Sequence, residues 1–307
     1  MAFKRIVEME VGTSSRSVLI SDLNITFDIT RTRKFSNNIA KFKIYNPADD
    51  TVSKMLKKGN SVIFSAGYDD EGTGLIYSGQ ITESIPSKNP PDPFIEITCG
   101  SIQNADTDLS SVTVTLGYKP NTNLSRPINE IGNALGLSVV GLENISSIKM
   151  RNGFNVAGTA KEALRLIQGT LERNGMGLFI DNSNLIVFKK GEGYKRAAVK
   201  LSSRTGLLES PKLSDNLEND ENVEEDITQR ALFKSILNYK IVPNGDVDIE
   251  SSTVNGKYLV DKCQFKGDNF GGDFLVEGEG IVISSSVRIG RTKEEIQRNT
   301  VTASGNR

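Results

Sequence analysis

The chain has 307 residues, with 37 Lys+Arg set against 38 Asp+Glu for a formal net charge of −1. That balance excludes a basic footprint for nucleic acid and a polybasic membrane anchor. A histidine count of 0 removes Ser-His-Asp and Cys-His nucleophile systems and the usual zinc sites, so that paired carboxylates or lysine remain as the means of any catalysis.

The length exceeds what one core usually holds, so two or three domains are expected. Hydrophobic residues make up 37% and charged residues 24%, and mean hydropathy is −0.30, which fits a soluble, folded chain with no apolar run long enough to span a bilayer. The start, Met1-Ala2-Phe3-Lys4-Arg5, has no apolar stretch behind its charges, so no signal peptide is expected. Cys99 and Cys263, the only cysteines, fall at core-facing strand positions and read as buried free thiols in a chain that folds in a reducing cytoplasm.

The first hundred residues read as β. In Leu23-Asn24-Ile25-Thr26-Phe27-Asp28-Ile29 every second residue is apolar, the period of a half-buried strand. Ala40 to Tyr45 repeats the pattern and stops at Asn46-Pro47. Thr51 to Lys58 predicts a short helix closed by Gly59. Strands resume at Val62 to Tyr68, and the polar turn Asp69 to Gly74 leads into Leu75 to Ile81. Phe94 to Cys99 follows a Pro-rich loop over Pro86 to Pro93. Short strands with turns between them predict a small barrel or sandwich.

The middle changes character. Ser125 with Pro127 predicts a capped helix whose face is Ile128, Ile131 and Leu135, ended by Gly136. Thr159-Ala160-Lys161-Glu162 is a capping-box pattern ahead of a Leu164, Ile167, Leu171 stripe ending near Gly175. Leu178 to Ile180 and Leu185 to Phe188 flank Asp181-Asn182-Ser183-Asn184 as a hairpin. The stretch 215–226 is strongly acidic and predicts a solvated loop. From Arg230 the β character returns, with Val247-Asp248-Ile249, a strong strand over Tyr258 to Phe265, a turn at Gly267 to Gly272, and Phe274 to Glu279 pairing back. Strict alternation puts Leu259, Asp261 and Cys263 on one face of that strand and Tyr258, Val260, Lys262 and Gln264 on the other. Thr292 to Asn299 predicts one short helix before a disordered end. No sequence repeat links the two β regions.

Motifs for chemistry are sparse. Gly256-Lys257 lacks the upstream glycine of a P-loop, and Gly278-Glu279-Gly280 runs straight into Ile281. Asp246, Asp248 and Glu250 have a spacing that hints at calcium, but on a strand they share one face and read more simply as solvated carboxylates. Gly267-Asp268-Asn269 fits a hairpin loop needing positive φ better than a ligand site. No catalytic residue, cofactor or metal ligand is assigned.

Two sets of short words carry a resemblance. One is Leu23 to Ile29, Asn38 to Asn46, Ala66-Gly67-Tyr68 and Ile76-Tyr77-Ser78-Gly79-Gln80-Ile81. The other is Gly256 to Val260, Gly267 to Gly272 and Glu277, with Gly206-Leu207-Leu208 and Pro211 as a lead-in. Together they resemble baseplate hub proteins of contractile-tailed bacteriophages, related to the late-control-D proteins and to the N-terminal part of type VI secretion spike proteins. The resemblance implies a mainly β fold with an α+β insert: two tube-like β-barrel domains, 1–118 and 201–290, flanking an α+β domain, 119–200, with a polar tail at 291–307. It implies a non-enzymatic homotrimer whose six barrels match a six-fold tail tube and a three-fold spike. Its partners would be the tail tube protein, the spike protein and other baseplate proteins, with phage DNA or tape measure passing through the lumen without specific binding. Its place would be the tail baseplate of the virion, assembled in the host cytoplasm. The two hairpins, Asp69, Asp70, Gly72 and Gly74 in one and Gly267, Asp268, Asn269, Phe270, Gly271 and Gly272 in the other, are expected to contact an axial neighbour. A tail-associated protein that binds or hydrolyses cell wall is the competing expectation.

Overall fold

The computed structural model describes residues 4–282 apart from 14, 35, 55, 88–92, 103–108, 195–196 and 215–229. The acidic stretch 215–226, the tail 291–307 and the short helix expected near 292–299 lie outside the described residues. The fold is mainly β.

The first part of the chain forms β1 (Arg5–Thr13), β2 (Arg16–Ile20), β3 (Ile25–Thr32), β4 (Ile39–Tyr45), a short α1 (Asp49–Lys54), β5 (Ser61–Tyr68), β6 (Gly72–Ser87) and β7 (Phe94–Gly100). The period-two words become half-buried strands: β3 alternates Ile25, Phe27 and Ile29 inward with Thr26, Asp28 and Thr30 outward. The middle forms β8 (Thr113–Tyr118), β9 (Thr122–Asn123), α2 (Ser125–Ala134), β10 (Ser138–Val140), β11 (Lys149–Met150), β12 (Phe154–Thr159), α3 (Ala160–Arg173), β13 (Met176–Asp181) and β14 (Asn184–Lys189). Its helices and small sheets enclose a core of their own, including Ile128, Leu164, Ile167, Ile180 and Leu185. The last part forms β15 (Val199–Leu201), β16 (Lys212–Ser214), β17 (Arg230–Ile236), β18 (Asp246–Glu250), β19 (Asn255–Asp268) and β20 (Phe274–Val282).

The outer parts of the chain make one 13-stranded sheet, joined where residues 262–268 of β19 run antiparallel to residues 26–32 of β3. Among the described residues the sheet path does not close, since β2 and β16 at its ends each pair with one neighbour. A single core serves both parts. Aromatic rings run through it: Phe64 lies 4.9 Å from both Phe27 and Phe42, and Phe274 lies 5.7 Å from Phe27 and 5.3 Å from Tyr68.

The two parts of the sheet repeat one strand order. The first runs β3-β4-β7-β6-β5-β1 and the second β16-β17-β20-β19-β18-β15. Each long strand carries a bulge against its partner, at Ile81/Glu83 in β6 and at Val260/Lys262 in β19. Each is clamped in the same way just before the bulge. The Ile81 amide donates to Asn60 O and its carbonyl accepts from Gly59 N, at 2.9 and 2.8 Å; Val260 does the same with Gly245 O and Asn244 N, at 2.9 and 2.8 Å. Gly59 and Asn244 both take positive φ, +90° and +63°, a conformation open to glycine and tolerated by asparagine. One difference is that β15 runs parallel to β18, whereas β1 runs antiparallel to β5.

Two expectations are corrected. The bulge slips the alternation of β19, so Tyr258 and Val260 share the core with Cys263 and Phe265 instead of facing away from Cys263. Ser125 does not cap α2: the N-cap is Leu124, and Asn123 Oδ1 accepts from the Ser125 amide at 2.8 Å. The capping box at Thr159 and Glu162 is present in full.

The middle unit is fixed to the sheet by a buried ion pair. Arg31 of β3 donates from Nε to Asp181 Oδ1 at 2.8 Å and from Nη2 to Oδ2 at 2.6 Å, and its Nη1 donates to Ile76 O of β6 at 2.9 Å. Asn38 Nδ2 donates to Ile180 O at 3.0 Å, and the Ser78 amide donates to Asn182 Oδ1 at 3.0 Å. Burial would lower the Arg31 pKa, but the Asp181 carboxylate offsets this and holds it above its ordinary value. Asp181→Ala would strand a buried guanidinium and should cost about 3–5 kcal/mol in urea unfolding. Lys4→Ala, which removes the exposed pair to Asp69, should leave the unfolding midpoint unchanged.

Candidate functional site

The two hairpins singled out in the sequence lie side by side. Arg5 of β1 stands opposite Tyr68, the last residue of β5, and reaches across to the β19–β20 turn. Its Nη1 donates to Asp268 O and its Nη2 to Gly272 O, each at 2.7 Å, while its guanidinium sits 5.1 Å from the Phe274 ring. Tyr68 Oη donates to Phe274 O at 3.3 Å. Gly74, beyond the Asp69–Gly72 turn, lies under the Tyr239 ring, where any side chain would collide.

The β19–β20 tip is held rigid from within. Asp268 Oδ1 accepts from the Phe270 amide at 2.7 Å and from the Gly271 amide at 3.2 Å. Asn269 bonds the β2–β3 connection from both ends of its amide, accepting from Ile25 N at 2.8 Å and donating to Leu23 O at 2.9 Å. Gly272 takes φ +67°. Phe270 is left pointing outward, 71% exposed, on this braced turn. The two turns carry Asp69, Asp70 and Glu71 in one and Asp268 and Asp273 in the other, with Lys4 Nζ bonded to Asp69 at 3.4 Å. Arg5, Tyr68 and Tyr239 complete this end of the molecule. Sequence gave no signal for them, because the Arg5 to Asp268 contact spans 263 positions.

Among the described residues, no three His, Cys, Asp or Glu side chains are grouped as a metal site, and no helix is long and apolar enough to cross a membrane. Cys99 and Cys263 are free and buried; burial pushes the Cys263 thiol up to about 12 and the Cys99 thiol higher still. An open groove of about 310 Å³ runs over β17, β19 and β20. Its charges answer one another: Glu277 pairs with Lys266 at 2.9 Å and Lys234 at 3.4 Å, and Glu279 with Lys262 at 3.1 Å. The hydrogen bond from Lys266, above all, lowers the Glu277 pKa, the opposite of what a general acid needs.

These features define a class by fold: a β-rich chain of two like sheet halves with an α+β unit between them. The fold matches the prophage MuSo2 43 kDa tail protein from Shewanella oneidensis with a TM-score of 0.63 at 11% identity, over 92% of this chain and 100% of that one. It matches the tail protein from Neisseria meningitidis MC58 with a TM-score of 0.62 at 10% identity, over 91% and 97%. The E. coli c3393 protein, described as a type VI secretion component similar to T4 bacteriophage tail proteins gp27 and gp5, matches with a TM-score of 0.56 at 10% identity, over 84% and 73%. No curated protein matches the sequence. The sequence profile of the baseplate hub gp41 family matches residues 7–280, and the chain belongs to that family.

Asp246, the first of the three carboxylates with calcium-like spacing, has a partly desolvated side chain whose Oδ1 is buried and has no hydrogen-bond partner among the described residues. Desolvation raises its pKa, against a smaller lowering by Lys257. Below the ordinary carboxylate range the group is protonated in both folded and unfolded chains and costs nothing. As pH rises through the raised folded value, ionisation favours the unfolded chain and stability is lost. Asp246→Asn should therefore raise the melting temperature relative to wild type at pH 7 and leave it unchanged at pH 3.

Proposed function

We propose that this chain is the hub subunit of a contractile-tail baseplate, acting as a structural adaptor without catalysis or cofactor. Three copies close a ring in which each chain contributes two tube-like barrels, so that six barrels meet a six-fold tail tube and three subunits meet a three-fold spike. The observation that carries this reading is the repeated strand order within one continuous sheet: two like units per chain turn three copies into a pseudo-six-fold ring. The middle unit, built on its own core, stands outside that repeat.

The paired hairpin tips are the axial contact, facing tube or spike. A braced turn that presents one exposed aromatic loses little entropy on docking, which is the character of an interface anchor. Other baseplate proteins surround the ring, phage DNA or tape measure passes through it without specific binding, and the assembly takes place in the host cytoplasm before the protein becomes part of the virion.

Light scattering at high concentration should give a mass three times the 33.5 kDa chain; monomer alone, with another copy number in tails, would sink the trimer. Phe270→Asp should leave the melting temperature within a degree or so of wild type, since that ring is mostly in solvent, yet block joining of hub to tail in an assembly assay. Gly271→Val, at an open position, should act in the same direction, whereas Gly272→Val would also strain a positive φ. Normal tail yield with Phe270→Asp removes the axial role of these tips.

A further inference from the structure

The internal repeat leaves one junction filled by a strand within the chain and, among the described residues, its counterpart without one. Strand β19 has β20 on one edge from Tyr258 to Gly267. On its other edge, residues 255–259 pair with β18 and residues 262–268 pair with β3. Strand β6 is its counterpart in the first half, with β7 on one edge and β5 on the other. There the β5 pairing ends with Ser61 opposite Gln80, and among the described residues no strand lies beside Glu83–Ser87 on that edge. At the far end of the sheet, β16 occupies in the second half the place of β3 in the first, and among the described strands only β17 pairs with it.

We infer that a second copy of this chain fills the gap: β16 of one subunit adds to the Glu83–Ser87 edge of β6 in the next, reproducing between chains the β19–β3 pairing made within each. The inference rests on the ring reading above and specifies which edges close it. Both edges carry a large apolar side chain in water, Ile85 at 53% and Leu213 at 40% exposure, as expected of strands completed by a neighbour.

The repeat also sets the register. Aligning the bulges equates Glu83 with Lys262 and therefore Ser87 with Lys266. Thr98 opposite Glu83 corresponds to Glu279 opposite Lys262. Their partners Lys41 and Leu232 correspond in turn, and so do Asp28 and Lys212 opposite those. Within the chain Lys266 faces Asp28, so between chains Ser87 faces Lys212. The join is head to tail, so it propagates until a ring closes.

Facing Cα atoms in an antiparallel ladder lie roughly 4.5–5.5 Å apart, within the range a disulfide spans. The full-length double variant Ser87→Cys, Lys212→Cys should, after mild oxidation, give covalent dimer and a closed trimer on a non-reducing gel. Each single variant should give neither, and the buried Cys99 and Cys263 should stay unreactive. The variant Lys266→Cys, Asp28→Cys should close a bond within the chain, without change of mass, as the template for the geometry. Light scattering on the reduced sample separates the outcomes. A trimer that cross-links supports the inference. A trimer that does not cross-link, while the template pair does, overturns the edge assignment and leaves the ring standing. Monomer under every condition overturns both.

Discussion

The contact on which the arrangement turns is the two-pronged bond between Arg31 and Asp181, both almost wholly out of water. A guanidinium in a low-dielectric interior is tolerated only when its donors are answered, and here Asp181 takes two while the Ile76 carbonyl takes another. Those three residues belong to β3, to the β13–β14 hairpin and to β6. Arg31 also stands opposite Cys263 on β19 and 6.0 Å from the Phe265 ring. One side chain therefore registers the strand that joins the two sheet halves and docks the middle unit on that junction. A hydrophobic contact at this point could slide, whereas a bidentate pair has one geometry.

From that fixed point the rest follows through the backbone. The β3–β19 ladder forces the two halves into one sheet, so their cores merge and the aromatic chain from Tyr77 through Phe42, Phe64 and Phe27 to Phe274 crosses the join. The bulges at equivalent places let each long strand change neighbour partway along one edge. In β19 the edge passes from β18 to β3; in β6 it passes from β5 to a stretch with no strand beside it among the described residues. The hairpin end is a consequence too, since Arg5 can reach the Asp268–Gly272 turn only because β1 and β19 have been brought into the same layer.

Much of the local structure was legible in the sequence because it is local. Alternation located β3, β4 and β18, the Thr159–Glu162 box located the start of α3, and turn residues located both hairpin tips and, with the second of them, β20. Ser125 misled because Asn123, two residues earlier, supplies the capping oxygen, and nothing in a serine next to proline distinguishes the two. The faces of β19 misled because a bulge adds one residue to the count without altering composition. The internal repeat was invisible since it is carried by backbone bonds: Gly59 and Asn244 share a positive φ but no side chain, and Ile81 and Val260 share only an apolar character. That the two tips meet was legible least of all, because the residue that joins them, Arg5, is one basic residue among many until the topology places it.

The β3–β19 ladder also dictates a schedule. Asp28 and Gln264, bonded across it at 2.7 Å, are 236 residues apart in the chain. A ribosome adding about 5–20 residues each second needs roughly ten to fifty seconds between the two. For that interval β3 is an uncompleted edge on a nascent polypeptide, and the Arg31 guanidinium can meet Asp181 before it meets β19. The middle unit, made in between, is thus positioned to hold β3 in place as a chaperone within the chain until its late partner is translated. Because β19 follows both β3 and the middle unit in the chain, the sheet stays unfinished until that strand has been made.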